Sequence, residues 1–136
     1  MPLRNDSKYL FILSMILIGV GDIFYFGALL FRDFSIEFLM TLSPTYLPTD
    51  LSDAGRSVGL FYSATMGALM YLTGFLVWSL TKETLAERRK FAFYGLWIWF
   101  VTDTIASLLF SFSLNVFMNF LFLIIGVAFL GYEFKD

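Results

Sequence analysis

Two aspartates, Asp22 and Asp103, lie inside long apolar stretches of the chain that contain no lysine, arginine or histidine. A charged side chain near the centre of a bilayer costs roughly 2.5 to 3.5 kcal/mol on insertion scales. Acids in such positions usually face a protein interior, where they bind ligands or ions or transfer protons. The two aspartates are therefore the first candidates for a functional site.

Four apolar stretches are long enough to cross the roughly 30 Å hydrocarbon core of a bilayer as helices. They cover residues 9–31, 58–80, 91–112 and 115–132, referred to here as spans 1 to 4. They lack the alternating pattern of membrane strands, and four strands cannot close a barrel. Span 1 is too long for the apolar region of a signal peptide and is expected to be retained. The sequence predicts one all-α domain, a transmembrane four-helix bundle.

Basic residues predict how the spans are oriented, because they accumulate in cytoplasmic loops. Only Arg32 and Arg56 lie in the loop after span 1. The other side carries Arg4, Lys8, Lys82, Arg88, Arg89, Lys90 and Lys135. We therefore expect both termini to be cytoplasmic and the protein to lie in the cell membrane, which in a bacterium is the inner membrane. Thr84 and Glu87 fit a capping box that would start the third helix before the membrane.

One long outer loop separates spans 1 and 2. Apolar residues recur at helical spacing from Phe34 to Leu42 and predict a short amphipathic helix. Pro44 and Pro48 would end this helix, and residues 49–53 contain candidate caps for the next one. We expect the loop to cover the outer end of the bundle.

Small residues recur every four positions along the predicted helix that contains span 2, at Gly55, Gly59, Ser63 and Gly67. This spacing lets helices approach closely in a membrane. Two uses stay open: contact between helices of one chain, or formation of a homo-oligomer through this row.

The predicted orientation puts the two acids at similar depths. Asp22 lies about 20 Å beyond the start of span 1, and Asp103 lies about 18 Å beyond the start of span 3. Polar and aromatic residues at helical spacing or at a comparable level complete a candidate site in the outer half of the bundle. The predicted ligand-binding residues are Asp22, Tyr25, Trp99, Asp103, Ser107 and Asn119.

Three states of the acids are open. Burial and mutual repulsion favour protonated acids, hydrogen-bonded to Tyr25, Ser107 or Asn119. Alternatively, Arg56 or Arg32 extends inward from the outer loop and forms an ion pair with one acid. In the third state, the acids and the aromatic rings bind a cationic group or an ion.

The composition excludes several kinds of chemistry. The chain has no Cys and no His, which excludes disulfides, thiolate or imidazole metal sites and His-ligated haem. The sequence shows no nucleophile triad or phosphate-binding loop, so an enzyme is the least favoured class and no metal or cofactor is expected. A net charge of −2 gives no reason to expect a nucleic-acid partner.

The layout resembles small four-helix membrane families, namely the DoxX-like proteins and, more distantly, the EXPERA group that includes sterol isomerases. The resemblance covers the whole chain and consists of size, helix number, cytoplasmic termini and acids within the membrane. Asp22, Trp99, Asp103 and Asn119 carry it. It implies a cavity for a lipophilic molecule inside the bundle, while the absence of His departs from the isomerases.

We therefore expect a protein that binds a lipophilic small molecule, neutral or cationic, or a lipid, in a cavity within the bundle. Membrane lipids and this molecule are the expected partners. Two other functions stay open: a proton or small-cation transporter or channel subunit, and a structural subunit of a larger membrane complex.

Overall fold

The computed structural model describes residues 3–42 and 52–131, and these residues form helices and short turns without strands. The helices are α1 (Leu3–Leu30), α2 (Arg32–Leu42), α3 (Asp53–Ser79), α4 (Leu85–Leu109) and α5 (Ser113–Gly131). All except α2 are long and apolar enough to cross a membrane. The all-α class and the four long apolar helices are thereby confirmed. The predicted helix breakers Pro44 and Pro48 lie outside the described residues.

Capping side chains set the starts of α3 and α4. The Thr84 hydroxyl accepts a hydrogen bond from the backbone N–H of Glu87 at 3.2 Å, and the Glu87 carboxylate accepts one from the backbone N–H of Thr84 at 3.4 Å. This is the predicted capping box, and it starts α4 well before residue 91. Ser52 caps α3 by accepting from the N–H of Gly55 at 3.2 Å, so the cap lies among the predicted candidates at residues 49–53 and the helix begins before the apolar span.

The short helix predicted between spans 1 and 2 is α2. Phe31 alone separates it from α1, and hydrogen bonds from Phe31 N to Gly27 O and from Ser35 N to Phe31 O, both 2.9 Å, continue across the break. Ser35 and Ile36 are buried, and α2 contacts both α1 and α3. The helix therefore packs onto the long helices rather than standing apart from them.

The long helices pack in a row rather than in a closed ring. The central helices are α3, which packs against α1 and α4, and α4, which packs against α3 and α5. In their most apolar stretches, 44% of α3 and 39% of α4 are buried, compared with 17% of α1 and 11% of α5. In the described residues α5 makes its main contacts with α4 and lies at the edge of the helix assembly.

The row of small residues on α3 is used for packing within the chain. A Cβ atom at Gly67 would lie 2.7 Å from the carbonyl oxygen of Gly21 and 2.7 Å from the backbone nitrogen of Tyr25. Only a glycine therefore permits this close approach of α3 to α1. Ser63 donates a hydrogen bond to a backbone carbonyl of α1 at 3.2 Å, and Gly59 faces α2. These contacts favour the intramolecular use of the row.

A tight turn joins α4 to α5. Ser111 has a φ of 63°, in the left-handed region. The N–H of Phe112 donates to the carbonyl of Ser107 at 2.8 Å, and the N–H of Ser111 donates to that of Leu108 at 3.3 Å. This pair of bonds defines a Schellman motif. The turn folds α5 back along α4 and brings Asn115 over the last turns of α4.

Candidate functional site

Asp103 lies on the buried face of α4, with 2% of its surface exposed. The side-chain nitrogen of Asn115 donates to Asp103 Oδ2 at 2.9 Å and to Ser107 Oγ at 2.8 Å. Ser107 Oγ in turn donates to the backbone carbonyl of Asp103 at 2.6 Å. These three residues form one hydrogen-bonded group between α4 and α5, called the Asp103 cluster below.

Asn119 extends this polar contact by one turn of α5. Its side chain is 2% exposed, and its nitrogen lies 3.4 Å from the hydroxyl of Thr104. Further along the same face, Leu123 is buried and Gly126 lies against Leu96. The α5 face that packs on α4 is therefore polar near the turn and apolar beyond it.

Three buried polar atoms of the described residues have no hydrogen-bond partner: Asp103 Oδ1, Trp99 Nε1 and Thr65 Oγ1. Trp99 is 7% exposed and lies one turn before Asp103, on the same face of α4. An unpartnered buried polar group costs about 1 to 3 kcal/mol. Two such groups on one face of α4 show that the hydrogen bonding around the Asp103 cluster is incomplete in the described residues.

The helical spacing of α3 places Thr65 towards the same region. It lies one turn after Phe61, whose ring stacks on that of Phe112 at 3.9 Å beside the α4–α5 turn. It also lies close along the helix to Ala68, which packs in one cluster with Trp99. Helical spacing therefore directs the Thr65 hydroxyl towards α4 and α5.

The unpartnered atoms have complementary chemistry. Trp99 Nε1 can only donate a hydrogen bond, a carboxylate oxygen of Asp103 accepts one, and the Thr65 hydroxyl does either. A group that both accepts and donates, such as a hydroxyl or an amine, matches this set. A simple metal cation would match the two oxygens but not the indole N–H.

Asp22 has different surroundings. It is exposed on α1, beside α3, whose Tyr71 hydroxyl donates to its Oδ1 at 2.6 Å. The expectation that both acids face the interior is therefore wrong for Asp22. The reason is the low coverage of α1, because only 17% of its most apolar stretch is buried.

Two tyrosine rings pack between the acids. Tyr71 binds Asp22, and Tyr25 donates to the carbonyl of Thr102, next to Asp103, at 3.0 Å. The two rings lie 6.1 Å apart. The predicted site is thus divided: Trp99, Asp103, Ser107 and Asn119 lie on the α4 and α5 side, Tyr25 lies in the separating layer, and Asp22 lies outside it.

The two arginines after α1 do not pair with the membrane acids. Arg56 forms an ion pair with Asp33 of α2. The guanidinium of Arg32 lies over the ring of Phe110 at 5.7 Å. Both arginines make local contacts near α2. The expected ion pair between an arginine and one of the two membrane acids is therefore not formed.

An apolar pocket of about 350 Å³ lies between α1, α2 and α3. Its lining includes Phe24, Ile36, Gly59 and Met66. No acid lines it, so it is distinct from the cavity that the sequence predicted beside the two aspartates.

Three residues of this region were not predicted as site residues: Asn115, Thr65 and Tyr71. Asn115 carries a usable signal, because it lies one turn from Asn119 on the same face of α5. Tyr71 carries none, since its contact with Asp22 depends on how α1 and α3 are rotated against each other.

The comparisons with known proteins do not suggest a function, so the functional assignment depends on the geometry of the site. No protein-family model, no curated protein and no solved structure matches the chain.

Proposed function

We propose that the protein spans the membrane with α1, α3, α4 and α5 and binds a lipophilic molecule between α3, α4 and α5, with a polar head group at Asp103. The observation that carries this proposal is the set of unpartnered buried atoms on Asp103, Trp99 and Thr65. A head group that pairs with them removes a cost of about 1 to 3 kcal/mol for each atom.

The expected head group is a hydroxyl or an amine. A hydroxyl both accepts and donates, so it has the capacity to pair with the Trp99 indole N–H and with Asp103 Oδ1. A protonated amine donates to Asp103 and Thr65 and gains from the negative charge when the acid is ionised. An alkane offers neither contact.

The position of α5 supports entry of such a molecule from the lipid. In the described structure α5 packs against α4, and its outer side exposes large apolar residues such as Phe117 and Phe129. Its contact through Asn119 and Thr104 is long, at 3.4 Å. An edge helix with few buried contacts is the element that opens at the lowest free energy.

The proposed orientation has both termini and the α3–α4 connection on the cytoplasmic side. Lys82, in this connection, lies 4.2 Å from the ring centre of Phe91 and 5.5 Å from that of Trp78. Basic and aromatic residues together are typical of a membrane interface. Arg32 and Arg56 lie at the opposite end.

Binding is favoured over a proton relay by the hydrogen bonds that the structure describes. Asp22 is bonded to Tyr71, and Tyr25 is bonded to a backbone carbonyl. The described bonds therefore do not join the two acids into one path.

Thermal unfolding in detergent with three probes of equal chain length tests the proposal. Dodecanol and dodecylamine should raise the Tm by about 4 °C or more at saturation, whereas dodecane should not. Asp103→Leu should abolish the shift, and Trp99→Phe should reduce the shift with dodecanol. Asp22→Asn is the matched control and should keep both shifts. Equal stabilisation by dodecane, or an unchanged shift in Asp103→Leu, would refute the proposal.

A further inference from the structure

Asp22 uses little of its hydrogen-bonding capacity in the described structure. It is exposed on α1, and Tyr71 provides its one described hydrogen bond. A carboxylate has about four acceptor positions. In the membrane placement proposed above, on which this inference rests, lipid tails offer no donor for the others.

Three basic residues near the helix ends have contacts elsewhere in the described structure. Arg56 binds Asp33, Arg32 lies over Phe110, and Lys82 lies over Phe91. No basic residue occurs between residues 9 and 31. These contacts make a cation from another molecule the expected partner of Asp22 within the membrane.

The surface of α1 around Asp22 is suited to contact with another helix. Gly19 lies on the same side of α1, and a Cβ built there meets nothing within 4 Å. Ile16, Ile23 and Phe26 flank it and are 55%, 66% and 47% exposed. The positions 16, 19, 23 and 26 alternate in steps of three and four, as in the seam of a helix pair. A small residue beside a polar one is typical of helix contacts in membranes.

We propose that this face of α1, made of Ile16, Gly19, Asp22, Ile23 and Phe26, binds a transmembrane helix of another membrane protein that carries one lysine or arginine in its apolar span. Asp22 selects this occupant by charge complementarity, because an acid within a membrane usually pairs with a basic group. Gly19 provides the space for close approach of the partner's backbone.

Two other occupants fit less well. A second copy related by a two-fold axis would bring two Asp22 side chains together, and like charges at short distance repel. The amine of a phospholipid lies at head-group level, whereas Asp22 lies about 12 Å along the helix from Leu30 by the helical rise.

Energy transfer between the labelled full-length protein and synthetic helical peptides in phosphatidylcholine liposomes tests the proposal. The peptides share one leucine–alanine host sequence and differ in a single central residue, lysine or leucine. The lysine peptide should associate about tenfold more tightly than the leucine peptide. Asp22→Asn should remove this preference, and Gly19→Leu should weaken association. Asp103→Asn is the matched control and should retain the preference.

Equal association of the two peptides would overturn the proposal, as would a lysine preference that persists in Asp22→Asn. Self-association of the protein that is lost in Gly19→Leu would also overturn it, because the occupant would then be a second copy. Dodecanol binding is measured separately on the same Asp22→Asn variant. Its persistence shows that the variant is folded and separates this proposal from the ligand site at Asp103.

Discussion

The two aspartates have the same chemistry and occur at similar distances from the ends of their helices, yet their surroundings differ. Asp103 is enclosed between α4 and α5 and is 2% exposed, with Asn115 bonded to one of its oxygens. Asp22 lies exposed on α1 with a single bond from Tyr71. The difference comes from the position of each helix in the row, because α4 has neighbours on two sides and α1 is at the edge.

The comparison indicates that each acid suits a different kind of binding partner. An enclosed acid with an unpartnered oxygen suits a small head group that is surrounded by protein. An acid on an outer face, next to a glycine, suits the side of another helix. The following predictions test whether this distinction holds.

Removing the partner of each acid should have unequal effects. Asn115→Leu should lower the free energy of unfolding by about 3 kcal/mol, because it leaves a buried carboxyl group without its bond. Tyr71→Phe should cost roughly 0.6 kcal/mol, the average for a side-chain hydrogen bond in a membrane protein. Unfolding by SDS in mixed micelles measures both values.

A double variant provides the control for this pair. Asn115→Leu combined with Asp103→Leu should recover most of the lost stability, because replacing both partners by apolar groups is nearly neutral. Equal losses for Asn115→Leu and Tyr71→Phe, or no recovery in the double variant, would show that the two acids are not differently buried.

The layer between the acids depends on the contact of α1 with α3. Gly67→Ala should lower the free energy of unfolding by about 2 kcal/mol, because the new methyl group would meet backbone atoms at 2.7 Å. Gly19→Ala is the matched control on the open face and should be neutral or stabilising by roughly 0.5 kcal/mol. The same SDS titration measures both variants. An unchanged free energy of unfolding in Gly67→Ala would refute the close approach of α1 to α3.

The sequence predicted the elements of this fold better than their arrangement. Long apolar runs and the Thr84–Glu87 signal were sufficient to predict the long helices and the start of α4. The side on which each helix is covered depends on which helices are neighbours, and apolar faces suit both lipid and protein. The sequence therefore indicated both acids but could not tell that Asp22 is exposed.

The same dependence on helix neighbours explains which site residues could be predicted from the sequence. Trp99, Asp103 and Ser107 lie on one face of one helix, so their helical spacing was enough to group them. The bond between Asn115 and Asp103 depends on the turn at Ser111, whose left-handed φ of 63° occurs at a serine rather than at the usual glycine.

The smallest expected effect concerns this turn. Ser111→Gly should raise the free energy of unfolding by about 0.5 to 1 kcal/mol, because glycine adopts the left-handed conformation without steric cost. Tyr71→Phe should lower the free energy of unfolding by the same amount with and without Ser111→Gly, since the turn positions Asn115 and not Tyr71. Thermal unfolding checks both points, and a destabilised Ser111→Gly would contradict the described turn.

Labelling with a lipid-soluble carbodiimide, followed by mass spectrometry of the peptides, tests the central distinction most directly. The reagent modifies carboxyl groups that it can reach from an apolar phase. Asp22 should acquire the adduct first, and Asp103 should stay unmodified until the protein is unfolded. Labelling of Asp103 before Asp22, or of both at the same rate, would contradict the account.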